Sequence, residues 1–166
     1  MASEYALRIP LERHVINTER PFAAVVEEIR EHLGRSEPGD GHGLVLMSDG
    51  LRVRRANGTP VPARLVGLGE LDVGLGPAGR PEAGRMLRLL VDMPAATGEL
   101  VRFLPDAGVS CPATILVRET GDGGARLVYD SVASSVSIYQ EEESLSVARR
   151  LDTEVLALLR HVADRE

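Results

Sequence analysis

The sequence predicts an α+β domain: one antiparallel sheet with helices packed on one face, in β-α-β(n)-α order, closed by a long C-terminal helix. Three observations carry this. Two apolar runs, Thr114-Ile115-Leu116-Val117-Arg118-Glu119 and Ala125-Arg126-Leu127-Val128-Tyr129-Asp130, flank the turn Gly121-Asp122-Gly123-Gly124 and read as a hairpin. Behind it Leu145, Ala148, Leu151, Val155, Leu158, Leu159 and Val162 recur at helical spacing. A stripe of that kind must be buried, and the hairpin is the nearest apolar surface. A second stripe, Phe22, Val25, Val26, Ile29 and Leu33, follows an alternating segment near the start.

Taken in order, residues 5–16 alternate, with Leu7, Ile9, Leu11 and Val15 on one side and Arg8, Glu12 and His14 on the other. Pro10 cannot donate to a ladder, so this is an edge strand or carries a bulge there. Pro21 suits the first helical position and Gly34 the end of that helix. Residues 35–43 are a polar, glycine-rich loop. Leu44 to Met47 and Leu51 to Arg54 flank Ser48-Asp49-Gly50 as a second hairpin, and Asn57-Gly58 marks a further turn. Residues 64–73 read as a strand, 74–84 as a loop and Met86 to Val91 as a strand. Pro94 opens a short helix with Leu100, Phe103 and Leu104.

The length of 166 residues suits a single domain, 1–166, with enough apolar content for a core. The net charge of −6 and the lack of Arg clusters interleaved with aromatics argue against nucleic acid as a partner. No run of 18 apolar residues or apolar signal core is present, so no membrane partner and a cytoplasmic location are expected. The single Cys111 fits a reducing compartment. All nineteen basic residues are Arg. Such a bias is typical of a GC-rich bacterial genome. Without Lys there is no Schiff base, no pyridoxal-phosphate anchor and no Walker-type phosphate loop. Gly67-Leu68-Gly69-Glu70-Leu71-Asp72 lacks the third glycine of a dinucleotide fingerprint. No cofactor is expected.

The C-terminal half resembles a known family. Tyr129-Asp130, Ser134-Ser135 and Val147-Ala148-Arg149-Arg150-Leu151-Asp152 are similar to the closing signature of the domain of unknown function 302 family. Gly108, Pro112 and the strand ending at Glu119 fit its preceding pattern, and Glu70-Leu71-Asp72-Val73 its Glu-Ile-Asp-Val segment. The resemblance covers most of the chain except about residues 35–64, an insertion with an extra hairpin. The alternative is that Gly43 to Asp49 is the family's second strand and the extra residues come later. The resemblance implies a β-α-β-β-β-β-α domain with a TATA-binding-protein-like sheet, often homodimeric, and no assigned reaction. Met93 stands where the family has a capping Asn, and Ser131-Val132-Ala133 lacks its Pro. Asp92 is the alternative cap.

Two constellations can carry chemistry. Glu70 and Asp72 stand two apart on a strand, so both carboxylates share a face and can share a proton if buried. With His14 on the second face as base, Glu70 as acid and Asp72 as an alternative base, they make the candidate catalytic set. Tyr129 and Asp130 at a strand end, Ser134 and Ser135 in the next turn, and Asp92 make the candidate ligand-binding set. Against this stand plainer roles: a wet sheet face for the carboxylates, turn caps for Asp130 and the serines, an exposed edge for His14. His32, His42 and His161 have no metal-ligand spacing, so no metal is expected. The leading expectation is a cofactor-free, homodimeric domain that binds a small, partly apolar molecule between sheet and helices. Alternatives are a cofactor-independent cyclase, isomerase or lyase, and a non-catalytic interaction module presented by the insertion.

Overall fold

The computed structural model describes residues 2–35, 43–47, 50–54, 64–74 and 84–164. The loops expected over 35–43 and 74–84 fall mostly outside these residues, as do the Asn57-Gly58 turn, Ser48, Asp49 and His42 wholly. Among the described residues there are eight strands and four α-helices: β1 (Arg13–Thr18), α1 (Phe22–His32), β2 (Gly34–Arg35), β3 (Gly43–Met47), β4 (Gly50–Arg54), β5 (Val66–Asp72), β6 (Met86–Asp92), α2 (Pro94–Phe103), β7 (Ala113–Glu119), β8 (Ala125–Asp130), α3 (Val132–Val136) and α4 (Glu142–Asp164). The main sheet has the order β1-β8-β7-β6-β5-β2. Its five long strands run antiparallel to their neighbours, and β2 pairs parallel with β5. β3 and β4 form a separate antiparallel hairpin.

Residues facing one another in an antiparallel pair share a face of the sheet. One face therefore carries Leu89 and Val91 of β6, Ile115 and Val117 of β7, and Leu127 and Tyr129 of β8, all buried. The helices cover this face. Val25 and Ile29 come from α1, Leu100 from α2, and Leu151, Val155 and Leu159 from α4, each fully buried in the same core. The apolar positions of α4 recur three and four apart, so its 23 residues bury one stripe along its length. The space between sheet and helices, expected to hold a ligand, is occupied by these side chains.

The other face is open. One row across it reads Leu71, Arg88, Leu116, Val128 and Val15, one residue from each of the five long strands.

Two expectations change. The first strand spans 13–18 rather than 5–16, and Leu7, Ile9 and Leu11 lie exposed ahead of it. Its facing is also reversed. Pairing His14 with Tyr129 and Ile16 with Leu127 turns His14 and Ile16 inward, while Val15 is 49% exposed. Strand side chains have period two, so where pairing starts decides every side chain's face. Residues 5–11 alternate like a strand, but none of them enters the described β1–β8 ladder. The second change is at α2, where Met93 is the N-cap with no side-chain hydrogen bond. Asp92 does not cap; its Oδ1 accepts from the Thr97 hydroxyl one turn into the helix, at 2.5 Å.

Candidate functional site

The candidate site is built where β8 runs into α3. Asp130 ends the strand, Ser131 caps the short helix, and the Ser131 Oγ accepts from the Ser134 N–H at 3.0 Å. Behind this turn, Asp152 of α4 is buried. Its Oδ1 accepts from the Tyr129 hydroxyl at 2.7 Å and the Val132 N–H at 2.8 Å. Its Oδ2 accepts from the Ser131 hydroxyl at 2.6 Å and the Ala133 N–H at 3.0 Å. Four donors surround one carboxylate, so its charge is satisfied without a counter-cation. This knot fixes the strand end to the long helix. Burial, then the nearby Asp152 charge, pushes the Tyr129 hydroxyl far above its usual pKa. Tyr129 therefore stays a neutral donor committed to Asp152.

On the open side of the same turn lies a cleft of about 340 Å³. Arg13, Asp130, Arg88, Thr114, Ser110 and Ser135 supply its polar lining, and Leu11, Val109, Leu116 and Val128 are among its apolar walls. Arg13 grips Asp130 with two bonds, Nε to Oδ1 at 2.6 Å and an amino nitrogen to Oδ2 at 2.8 Å. The Arg13 guanidinium holds the Asp130 carboxyl below the usual carboxylate range. Ser135 Oγ lies 2.7 Å from both the Val132 carbonyl and Ser110 Oγ. A carbonyl only accepts, so Ser135 donates to it and takes the proton of Ser110. Arg88 is exposed, projects from the open face, and has no partner among the described residues. With Arg13 and Asp130 paired, the charge it adds to the cleft is positive.

The expected ligand set is thus split. Asp130 and Ser135 line the cleft; Tyr129 is wholly buried behind it. Ser134 stitches the N-terminal segment to the turn, accepting from the Glu12 N–H at 3.0 Å and donating to the Ser131 carbonyl at 2.7 Å. Asp92 does not line the cleft. Ser131 and Arg88 belong to it, and no spacing in the sequence points to either. Asp152 was visible there only as the last residue of a motif.

The expected catalytic set is not assembled. His14 sits on β1 and Glu70 on β5, with three strands between them. At ~4.8 Å per strand this is roughly 19 Å. Glu70 and Asp72 do share a face, opposite Leu89 and Leu87. They do not share a proton. Arg30 of α1 holds Glu70 through bonds of 2.8 and 2.6 Å, and Asp72 accepts from the Gly74 N–H at 3.1 Å within its own turn. The hydrogen bond from Arg30 lowers the Glu70 pKa, the reverse of what a general acid needs. His14 packs 6.4 Å from the Tyr129 ring and lies 3.3 Å from Glu12. Burial raises the Cys111 thiol to about 11, which makes it a poor nucleophile. His32 and His161, far apart in sequence, meet across the fold beside Glu28, a proximity that spacing along the chain does not encode.

The sheet order and helix placement give a DUF302-like α+β fold. A solved structure shows the likeness: the crystal structure of the uncharacterized conserved protein DUF302 from Bacillus stearothermophilus superposes with a TM-score of 0.63. The match covers 89% of this chain and 95% of that one at 13% identity, so the likeness is one of fold. No protein-family model and no curated protein matches the chain. Among the described residues no helix is long and apolar enough to cross a membrane.

Proposed function

We propose that this protein is a homodimeric small-molecule-binding domain and that its cleft on the open sheet face takes a small organic anion with an apolar body. Arg88 carries the reading: an exposed guanidinium with no partner among the described residues, projecting into a cleft with hydroxyls and an aliphatic floor. A carboxylate or phosphate ester would meet Arg88 first, with Thr114 as a further donor. Leu116 and Val128 would lie under the apolar body. The volume of about 340 Å³ sits at the small end of ligand sites. No cofactor enters this reading.

Thermal melts and equilibrium dialysis against a panel of small carboxylates and phosphate esters test it. At least one member should raise the melting temperature, its neutral amide or alcohol counterpart should bind more weakly, and Arg88→Ala should abolish the response. A flat panel, or an Arg88→Ala protein that responds like wild type, overturns it.

A second copy of the chain is the partner that would cover the rest of the open face. The exposed row through Val15 and Leu71, and Val73 beside it, supports this, as does the homodimerism that the family resemblance implies. Light scattering should give twice the chain mass, and Leu71→Glu with Val15→Glu should give a monomer. A monomeric wild type at all concentrations removes this part of the reading and leaves the cleft untouched.

A further inference from the structure

We propose that Glu28, His32 and His161 form a site for one borderline transition-metal dication, of the Zn²⁺, Fe²⁺ or Co²⁺ kind, with open coordination positions facing a surface cleft. One ligand atom from each of the three lies within 4.8 Å of the other two. Glu28 and His32 stand one turn apart on α1 and so share a face of that helix. His161 comes from the last turns of α4, and its ring meets that of His32 edge-on at 4.8 Å.

Other contacts orient the ligands. Arg20 donates to Glu28 Oε2 at 2.5 Å, and the other oxygen, Oε1, lies 3.6 Å from His161 Nε2. Arg20 is in turn held on the Val162 carbonyl, next to His161, at 2.5 Å. His32 Nδ1 lies 2.8 Å from the Glu28 main-chain carbonyl. A carbonyl only accepts, so Nδ1 carries the proton and Nε2 carries the lone pair. A ligating histidine commonly has this outer contact. A tetrahedral ion with bonds of ~2.1 Å sets its donors roughly 3.4 Å apart. The 3.6 Å separation of Glu28 Oε1 and His161 Nε2 is near that value.

Two imidazoles and one carboxylate favour a borderline dication over Ca²⁺ or Mg²⁺, which take oxygen ligands. Three protein ligands leave a fourth position for water or another molecule. That position has room: a cleft of about 350 Å³ is lined by His32 and His161 with Arg64, Leu65 and Glu154. The site is separate from the cleft on the open face and shares no residue with it.

The test uses untagged full-length protein stripped with chelator. It is titrated with Zn²⁺ by calorimetry and with Co²⁺ by visible absorption, alongside His161→Ala, His32→Ala and, as control, His14→Ala. Both ligand histidines are exposed, so their truncation should leave the fold intact, as far-UV circular dichroism without metal would verify. Wild type and His14→Ala should bind one equivalent of Zn²⁺ and give the d–d bands of low-coordinate Co²⁺. Each ligand variant should lose at least tenfold in affinity. Absence of stoichiometric binding overturns the proposal, as does wild-type affinity in both variants. A third overturning result is a His161→Ala protein that is less stable while no metal binds either form, which would reduce the cluster to a His161–Glu28 ion pair.

Discussion

Replacing Asp152 by Asn tests the buried knot with almost no change in volume. The carboxylate accepts from Tyr129, Ser131, Val132 and Ala133. An amide keeps one acceptor oxygen and presents an NH₂ group to the other two donors. Whichever way it turns, two buried donors lose their acceptor. Each unsatisfied buried group costs about 1–3 kcal/mol, so the substitution should cost about 2–6 kcal/mol. For a domain of this size that is a fall in melting temperature of roughly 5–15 °C. Urea unfolding followed by circular dichroism measures it. Tyr129→Phe, which removes one donor, should cost less, and the double variant less than the sum of the singles, because both act on one network. An Asp152→Asn protein within about 0.5 kcal/mol of wild type would refute the reasoning.

Other substitutions probe the frame. Leu159→Ala should cost about 2–5 kcal/mol in the same assay, since it empties a wholly buried site between α4 and the sheet. Gly124→Ala should cost about 1–3 kcal/mol, because the new methyl would press on the Thr18 carbonyl, a backbone atom with no room to retreat. The Arg30–Glu70 pair should add a pH-dependent increment of about 0.2–1 kcal/mol, small because both groups are largely exposed. Glu70 has a lowered folded pKa, so that increment is present above the unfolded value near ~4.3 and is lost as pH falls through the folded one. Glu70→Gln should flatten that part of the stability–pH curve, and an unchanged curve would contradict it. Cys111 should resist iodoacetamide at pH 8 in the native protein and react on unfolding; rapid native labelling would show that burial does not control it.

What the sequence made legible follows from how local each signal is. The hairpin of β7 and β8 and the stripe of α4 are written in consecutive residues, and both stand where their spacing put them. Pro94 likewise opened α2 at its own position. The first strand stands one residue out of phase with the expectation because an alternating pattern does not say which neighbour it pairs with. The site was harder still. Glu70 looks like half of a carboxylate pair until Arg30 arrives from α1. Tyr129 looks like a ligand donor until Asp152 arrives from α4. Asp130 and Ser135 were legible as cleft residues because the turn that places them is local, whereas Arg88 enters from a strand two places away in the sheet. His32 and His161 meet only because α1 and α4 lie on the same face.

The most direct measurement is a heteronuclear NMR titration of ¹⁵N-labelled protein with the tightest-binding small carboxylate from the panel. Ligand in the cleft should shift the amides of Ser110, Thr114, Leu116, Val128 and Ser135, with Arg88→Ala erasing the shifts. Shifts confined to the His32–His161 cleft or to the β5 edge, or no saturable shift at all, would contradict the assignment of the open face as the binding surface.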